Sequence, residues 1–403
     1  IHVVRAQSFM AEAGRMAESL VARKLGTAVH IGAVEIHSLH ELKLDDVIIY
    51  DKQAEAVLRA DEARVTLRLL SLLSSPETSI DEILLAGAHI QVVRRADGTW
   101  NYSDIGADDS EPSTFVGRIR TEEATATVVT GGDAYELTGI AGQVEIDRSD
   151  ISYDLAGALM DVPLRVRGDY VSGTQELHVT SHDADLTPLL RFLPAGTLSE
   201  EIHVHDVRAD HIGMNLRRVD GVLTLDGRVD GARAAAEIYG TETELRSAAL
   251  TFSERELFLA ATVAAAGQTA RVDGTIRLDT DEPYLDLMLR ANDVAVDQLF
   301  AGSPYLGTAT ADMHVTGTLA VPMAEGKLRT EGGTVNGISV ANAAADVTYA
   351  DGSLSFQNLT AQVFGGTVSG AGVFAAGNKS YTAHLTADGI ALAELRAAGI
   401  PVP

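Results

Sequence analysis

Apolar residues recur two apart along the chain: Val34 and Ile36, Val47 and Ile49, Val65 and Leu67, Ile90 and Val92. Successive side chains of a strand point to opposite faces, so each pair predicts a strand with one apolar face and one wet face. The pattern returns at Leu257 and Leu259, at Leu285 and Leu287, and at Leu354 and Phe356. Many such strands in succession make a sheet that must cover its apolar face with something. What covers it is the functional question.

The segment from Arg5 to Leu25 differs. Ala6, Phe9, Ala13, Met16 and Leu20 fall three or four apart, which predicts an amphipathic helix over residues 1–26, closed by Gly26. Strands are expected from Ala28 to Val93, with a short helix near Leu67 to Leu73. Asp97-Gly98 predicts a hairpin turn, after which Trp100 packs on the sheet beside Tyr102 as a core anchor. Residues 107–114 read as an acidic loop between a first β region (27–106) and a second (115–403). Strands are expected in the second region at Tyr135 to Leu137, Val144 to Ile146, Leu354 to Phe356 and Gln362 to Phe364, among others.

A longer repeat is present. Three strands end in a polar step and run into an apolar L-x-x-L-like segment, anchored at Leu186, Val296 and Leu392. Each unit reads as several strands closed by a short helix and stacked as in a solenoid.

Composition narrows the picture. Hydrophobic residues make up 46% but aromatic ones only 5%, so any interior is built from aliphatic side chains. The formal net charge of −26 disfavours phosphate backbones, and nucleic acid is not expected as a partner. There are no cysteines, which removes disulfides, thiolate metal sites and a cysteine nucleophile. No apolar run is long enough to span a bilayer.

Enzyme signatures are missing. There is no nucleophile elbow, phosphate loop, dinucleotide fingerprint or H-E-x-x-H pair. His203 and His205 share a strand face near Glu200, Asp206 and His211, but a solvated face with Ile202 and Val204 turned inward explains them. The expectation is no enzyme, no cofactor and no metal.

The residues from Gly26 to Ile105 carry a resemblance. An IGxVxI-like strand at Ile31 to Ile36 and LxLxDVxIYD at Leu42 to Asp51 come first. Ala-Asp-Glu-Ala-Arg-Val at Ala60 to Val65 and Arg94-x-x-Asp97-Gly98-x-Trp100-Asn101 come after them. Phe364 to Gly370 adds a weaker match. Together they resemble the AsmA/TamB-type envelope proteins, at the N-terminal part of a TamB-like member. The resemblance implies a mostly β, elongated and curved antiparallel groove (a β-taco) that carries phospholipid between inner and outer membranes. It places the chain in the periplasm, with an inner-membrane helix upstream and an outer-membrane β-barrel of TamA/BamA type beyond the far end. Groove lining is expected from Val34, Ile36, Val47, Ile49, Val65, Leu67, Ile90 and Val92. In the second region it is expected from Leu257, Leu259, Leu285, Leu287, Leu354 and Phe356. Two other readings stand beside this one. One is an assembly helper for outer-membrane β-barrels working through exposed strand edges. The other is a structural β-solenoid with a filled core.

Overall fold

The computed structural model describes residues 15, 18, 19, 21, 22, 25–38, 40–68, 80–105, 116–192, 202–238, 240–278, 282–299, 305–318, 321–375 and 380–397. They form 22 strands and a few short helical turns. Two compact units divide the chain: residues 1–184 with 212–225, and residues 185–211 with 226–403. The acidic loop expected at 107–114 lies outside the described residues, as does most of the expected N-terminal helix. Arg15, Glu18, Ser19, Val21, Ala22 and Leu25 are helical.

The first unit holds β1 (Val29–Ser38), β2 (Glu41–Tyr50), β3 (Ala56–Leu67), β4 (Ile80–Ala86), β5 (His89–Val93), β6 (Val116–Thr130), β7 (Asp133–Asp147), β8 (Asp150–Leu159), β9 (Val162–Val171) and β10 (Thr174–Asp185). Neighbours pair antiparallel, with one departure from the expected pattern. β4 and β5 lie end to end between β3 and β6, antiparallel to the first and parallel to the second. Gly87 joins them with φ 59°, and a Cβ there would stand 2.3 Å from Asp61 Oδ2. Only glycine takes that backbone without cost.

Next come β11 (Ile202–Val219) and β12 (Val222–Ile238), whose residues are shared between the units. The second unit continues with β13 (Thr241–Ser253), β14 (Glu256–Ala265), β15 (Gln268–Arg277), β16 (Tyr284–Ala295), β17 (Tyr305–Thr318), β18 (Pro322–Val335), β19 (Ile338–Ala350), β20 (Ser353–Val363), β21 (Gly366–Ala375) and β22 (Ser380–Asp388). From β12 to β22 each strand pairs antiparallel with the next.

Many strands change phase partway along. In β2 the apolar positions are Leu42 and Leu44, then Val47 and Ile49, with Asp46 at φ 53° between them. In β3 they are Leu58 and Ala60, then Ala63 and Val65, on either side of Asp61. The ladder of β6 with β7 slips between Thr121 and Ala124 and again before Ala126, and β7 carries Gly139 at φ 59°. In the second unit slips fall at Gly231, Asp293, Asn342 and Asn358, each with positive φ, and others lie between Leu245 and Ser247 and between Gly307 and Thr310. One extra residue at such a bulge reverses the parity of the residues beyond it, so the slip in sequence and the slip in structure cancel. The apolar residues therefore stay on one face.

A bulged strand bends, and a row of bulges makes a crease. Small side chains fill its inner side. Ala60, Ala63, Ala88 and Ala124 cluster with Val47 in the first unit, and Ala232, Ala248 and Ala261 cluster in the second. Among the described residues, the buried apolar ones include one leucine, Leu285, and no aromatic ring.

The three anchor segments are short helices: a 3-10 turn at Thr187–Phe192, α1 at Val296–Leu299 and α2 at Leu392–Ala397. Asp183, Asp293 and Gly389, each three residues before its anchor, have φ of 50°, 52° and 68°. The strands β11 to β16 separate the first helix from the second, and β17 to β22 separate the second from the third.

Some expectations change. Tyr135 to Leu137 and Val144 to Ile146 are one strand, β7, and Leu354 to Phe356 runs on into Gln362 within β20. The bulges at Gly139 and Asn358 break the alternation within each. Phe364 is a turn residue at φ 51°, not part of a strand. Leu67 ends β3 rather than starting a helix, and residues 69–79 lie outside the described residues.

Candidate functional site

Residues opposite one another in a ladder share a face. In the first unit one such row runs Ile36, Leu42, Val65, Ile83, Ile119, Val144, Tyr153, Gly168 and Leu177. A second, across the crease, runs Val29, Ile49, Leu58, Ile90, Ala126, Leu137, Leu159 and Val162. In the second unit a row runs Val229, Leu250, Leu259, Gly274, Leu287, Val315, Ala324, Tyr349, Leu354 and Phe374. Beside it lie Leu257, Ile276 and Leu285 on one flank. Val272, Leu289, Met313, Val347 and Phe356 lie on the other.

These registers put all eight first-region residues singled out from the sequence on the apolar face of the first unit, and all six second-region residues on that of the second. Val34, Val47, Val65 and Leu285 are buried, Ile36 is 57% exposed, and the others are half-buried. Half-burial is the informative state. Among the described residues, the contacts between elements are chiefly those of ladder neighbours, plus a short helix against an adjacent strand. One polar atom interrupts the first unit's face: Thr121 Oγ1 is buried with no hydrogen-bond partner among the described residues.

The opposite face carries many ion pairs, beside apolar residues such as the buried Ile48 and the exposed Phe258. Lys43 pairs with Asp45 and Glu62, and Arg64 with Glu62. Arg165 and Arg167 meet on Asp154, and Arg290 reaches Asp273 and Asp312. The Arg64 guanidinium, then Lys43, hold the Glu62 carboxyl below its ordinary value, and Arg165, then Arg167, do so for Asp154. Two shallow hollows of about 400 and 550 Å³ occur in the first unit. Charged groups such as Glu82, Arg118, Arg120 and Asp154 line them, so neither belongs to the apolar face.

His203 and His205 are exposed on β11, with Ile202 and Val204 half-buried behind them. Among the described residues no group of three or more potential ligands could hold a metal. No described helix is long and apolar enough to cross a membrane.

Sequence reasoning misses a polar corner in the first unit. Asp51 is buried and accepts from the N–H groups of Gln53 and Glu55 and from Arg95 Nη2. Burial pushes its carboxyl up, but the bonds from Glu55, Arg95 and Gln53 outweigh that and leave it below the usual value. Asn101 is buried too; it accepts from Val93 N–H and donates to the Gln91 carbonyl. Trp100, expected as the core anchor, is half-buried, and Tyr102 beside it is 49% exposed. Asn101 does the anchoring. The signal is present in the pairing of Asp51 with the Arg94-Arg95 step, both within the segment that carries the family resemblance.

A long series of bulged strands, apolar on one face and rich in ion pairs on the other, defines a β-ladder protein. Residues 259–393, about a third of the chain, match the family model TamB, described as the TamB C-terminal domain, so that stretch is TamB-like. The matched stretch lies in the second unit and belongs to a C-terminal domain, whereas the resemblance read from residues 26–105 points to the N-terminal part of such a protein. No curated protein and no solved structure matches the chain.

Proposed function

We propose that the apolar faces are walls of a trough that carries the acyl tails of phospholipids across the cell envelope. The supporting observation is the unbroken apolar row from Val229 to Phe374, whose members are mostly only half-buried. Water opposes a lipid leaving its membrane by roughly 0.8 kcal/mol per CH₂, about 25 kcal/mol for two long tails. A wall that is apolar at every strand removes most of that penalty at each step. Movement requires similar contact everywhere, and aliphatic walls without aromatic clamps provide it. In this reading the ionic face looks to water and the chain catalyses nothing.

The TamB-like stretch makes an envelope protein the natural setting. We place it in the periplasm, held to the inner membrane, with an outer-membrane β-barrel as partner. The competing reading as an assembly helper draws on β22, whose described residues are largely exposed, as a strand offered for pairing.

The test is site-specific photo-crosslinking at Leu259 and Leu287 in cells, followed by mass spectrometry of the adducts. Phospholipid adducts at both positions are expected. Protein adducts alone at both positions would overturn the carrier reading in favour of a filled or protein-binding face.

A further inference from the structure

The polar corner of the first unit holds the chain's one tryptophan in an unusual setting. Trp100 stacks on Tyr102 with ring centroids 6.0 Å apart and an interplanar angle of 19°. The Arg94 guanidinium lies 6.0 Å from the Trp100 ring, and Arg94 is exposed. The backbone beneath is fixed at several points. Arg94 and Trp100 form a β-bridge closed by the Asp97-Gly98 turn, Asn101 bonds the backbone of Gln91 and Val93, and Arg95 holds Asp51. These bonds hold two half-exposed rings and a cation in place at little entropic cost on binding.

The corner also lies at the end of the sheet where β1 begins. Tyr50 N–H donates to Ala28, Thr27 Oγ1 donates to the Tyr50 carbonyl, and Asp51 comes directly after. From β1 to the row holding β5 is about 15 Å at the usual strand spacing. An aromatic pair with apolar bodies, polar tips and a guanidinium beside it has the chemistry of a bilayer's headgroup layer. There Trp and Tyr rings settle between tail and water, and arginine meets phosphate. Arg95 is committed to the buried Asp51, so the exposed cation of the corner is Arg94, with Asp97 as the acidic residue in the same turn.

We infer that Trp100, Tyr102 and Arg94 form a docking corner for the headgroup layer of a lipid bilayer. This inference deepens the carrier reading and rests on it, because a trough can load only where it meets a membrane.

Because Trp100 is the only tryptophan, its fluorescence reports on the corner without a label. The full chain is titrated with phosphatidylcholine vesicles, plain or brominated near the headgroup end of the acyl chains. Expected are a blue shift of emission and quenching by the brominated vesicles. Tyr102→Ala and Arg94→Ala each weaken vesicle binding in flotation by roughly two- to tenfold while circular dichroism stays unchanged. Unchanged emission at saturating lipid overturns the proposal. So does quenching that persists after the vesicles are floated away, since lipid held in the trough would then be reaching the ring. Crosslinking at Leu259 and Leu287 separates the two ideas. Lipid captured there with a silent tryptophan removes the docking corner and leaves the carrier. A responding tryptophan with no captured lipid does the reverse.

Discussion

Arg95 Nη2 donates to Asp51 Oδ2 at 2.8 Å, joining the turn after β2 to the end of β5. The carboxylate is buried and the guanidinium 17% exposed, so solvent screens the pair only in part. Removing the arginine leaves a buried carboxylate short of a partner. Arg95→Ala is expected to cost about 2–3 kcal/mol. Urea unfolding followed by Trp100 emission, a reporter within the same corner, measures this.

The same carboxyl predicts a response to acid. Its folded pKa is depressed, so its stabilising contribution is full above the unfolded value of about 3.9 and is lost as pH falls through the folded pKa. The midpoint of urea unfolding should drop as pH is lowered below about 4. In Asp51→Asn that part of the slope should be missing.

An open wall and a filled core differ in the cost of truncation. Leu259 and Leu287 are half-buried, so each change to alanine should cost only about 1 kcal/mol. A closed core would lose about 2–5 kcal/mol instead. At the crease the order reverses. Ala261→Leu puts bulk where the bend has no room and should cost about 1–3 kcal/mol. Circular dichroism during denaturant titration of the three variants decides between these cases.

Gly87 combines a left-handed backbone with a close neighbour, Asp61. Gly87→Ala should destabilise the first unit by roughly 1–3 kcal/mol. Adding Asp61→Ala should recover the steric part and leave the backbone part. A double-mutant cycle with full additivity would show that the two positions do not press on each other.

Alternation makes the apolar face legible in the sequence, because a period of two says which residues share a side whatever the topology. Leu285 and Leu287 can be placed without knowing that β15 and β17 flank them. The helix starts at or just after Leu186, Val296 and Leu392 are legible as a repeated step from strand to apolar segment. The bulges are not, since Gly139 and Asn358 are also ordinary turn residues and a broken alternation looks like a strand end. The parallel placement of β5 against β6 is hidden for a different reason: pairing across residues 94–115 leaves no local trace. Asp51 and Asn101 escape notice because short polar residues beside turns are usually solvated. Only the fold shows that their partners enclose them.

Asp46, the left-handed residue midway along β2, makes chain length itself a constraint. Losing Asp46 alone would exchange the faces of Val47, Ile48 and Ile49 relative to Leu42 and Leu44, inverting half of that strand. Insertions and deletions should therefore be tolerated at hairpin tips such as Asn336-Gly337 but selected against within the bent line of strands. Each residue on that line counts toward which way its neighbours point.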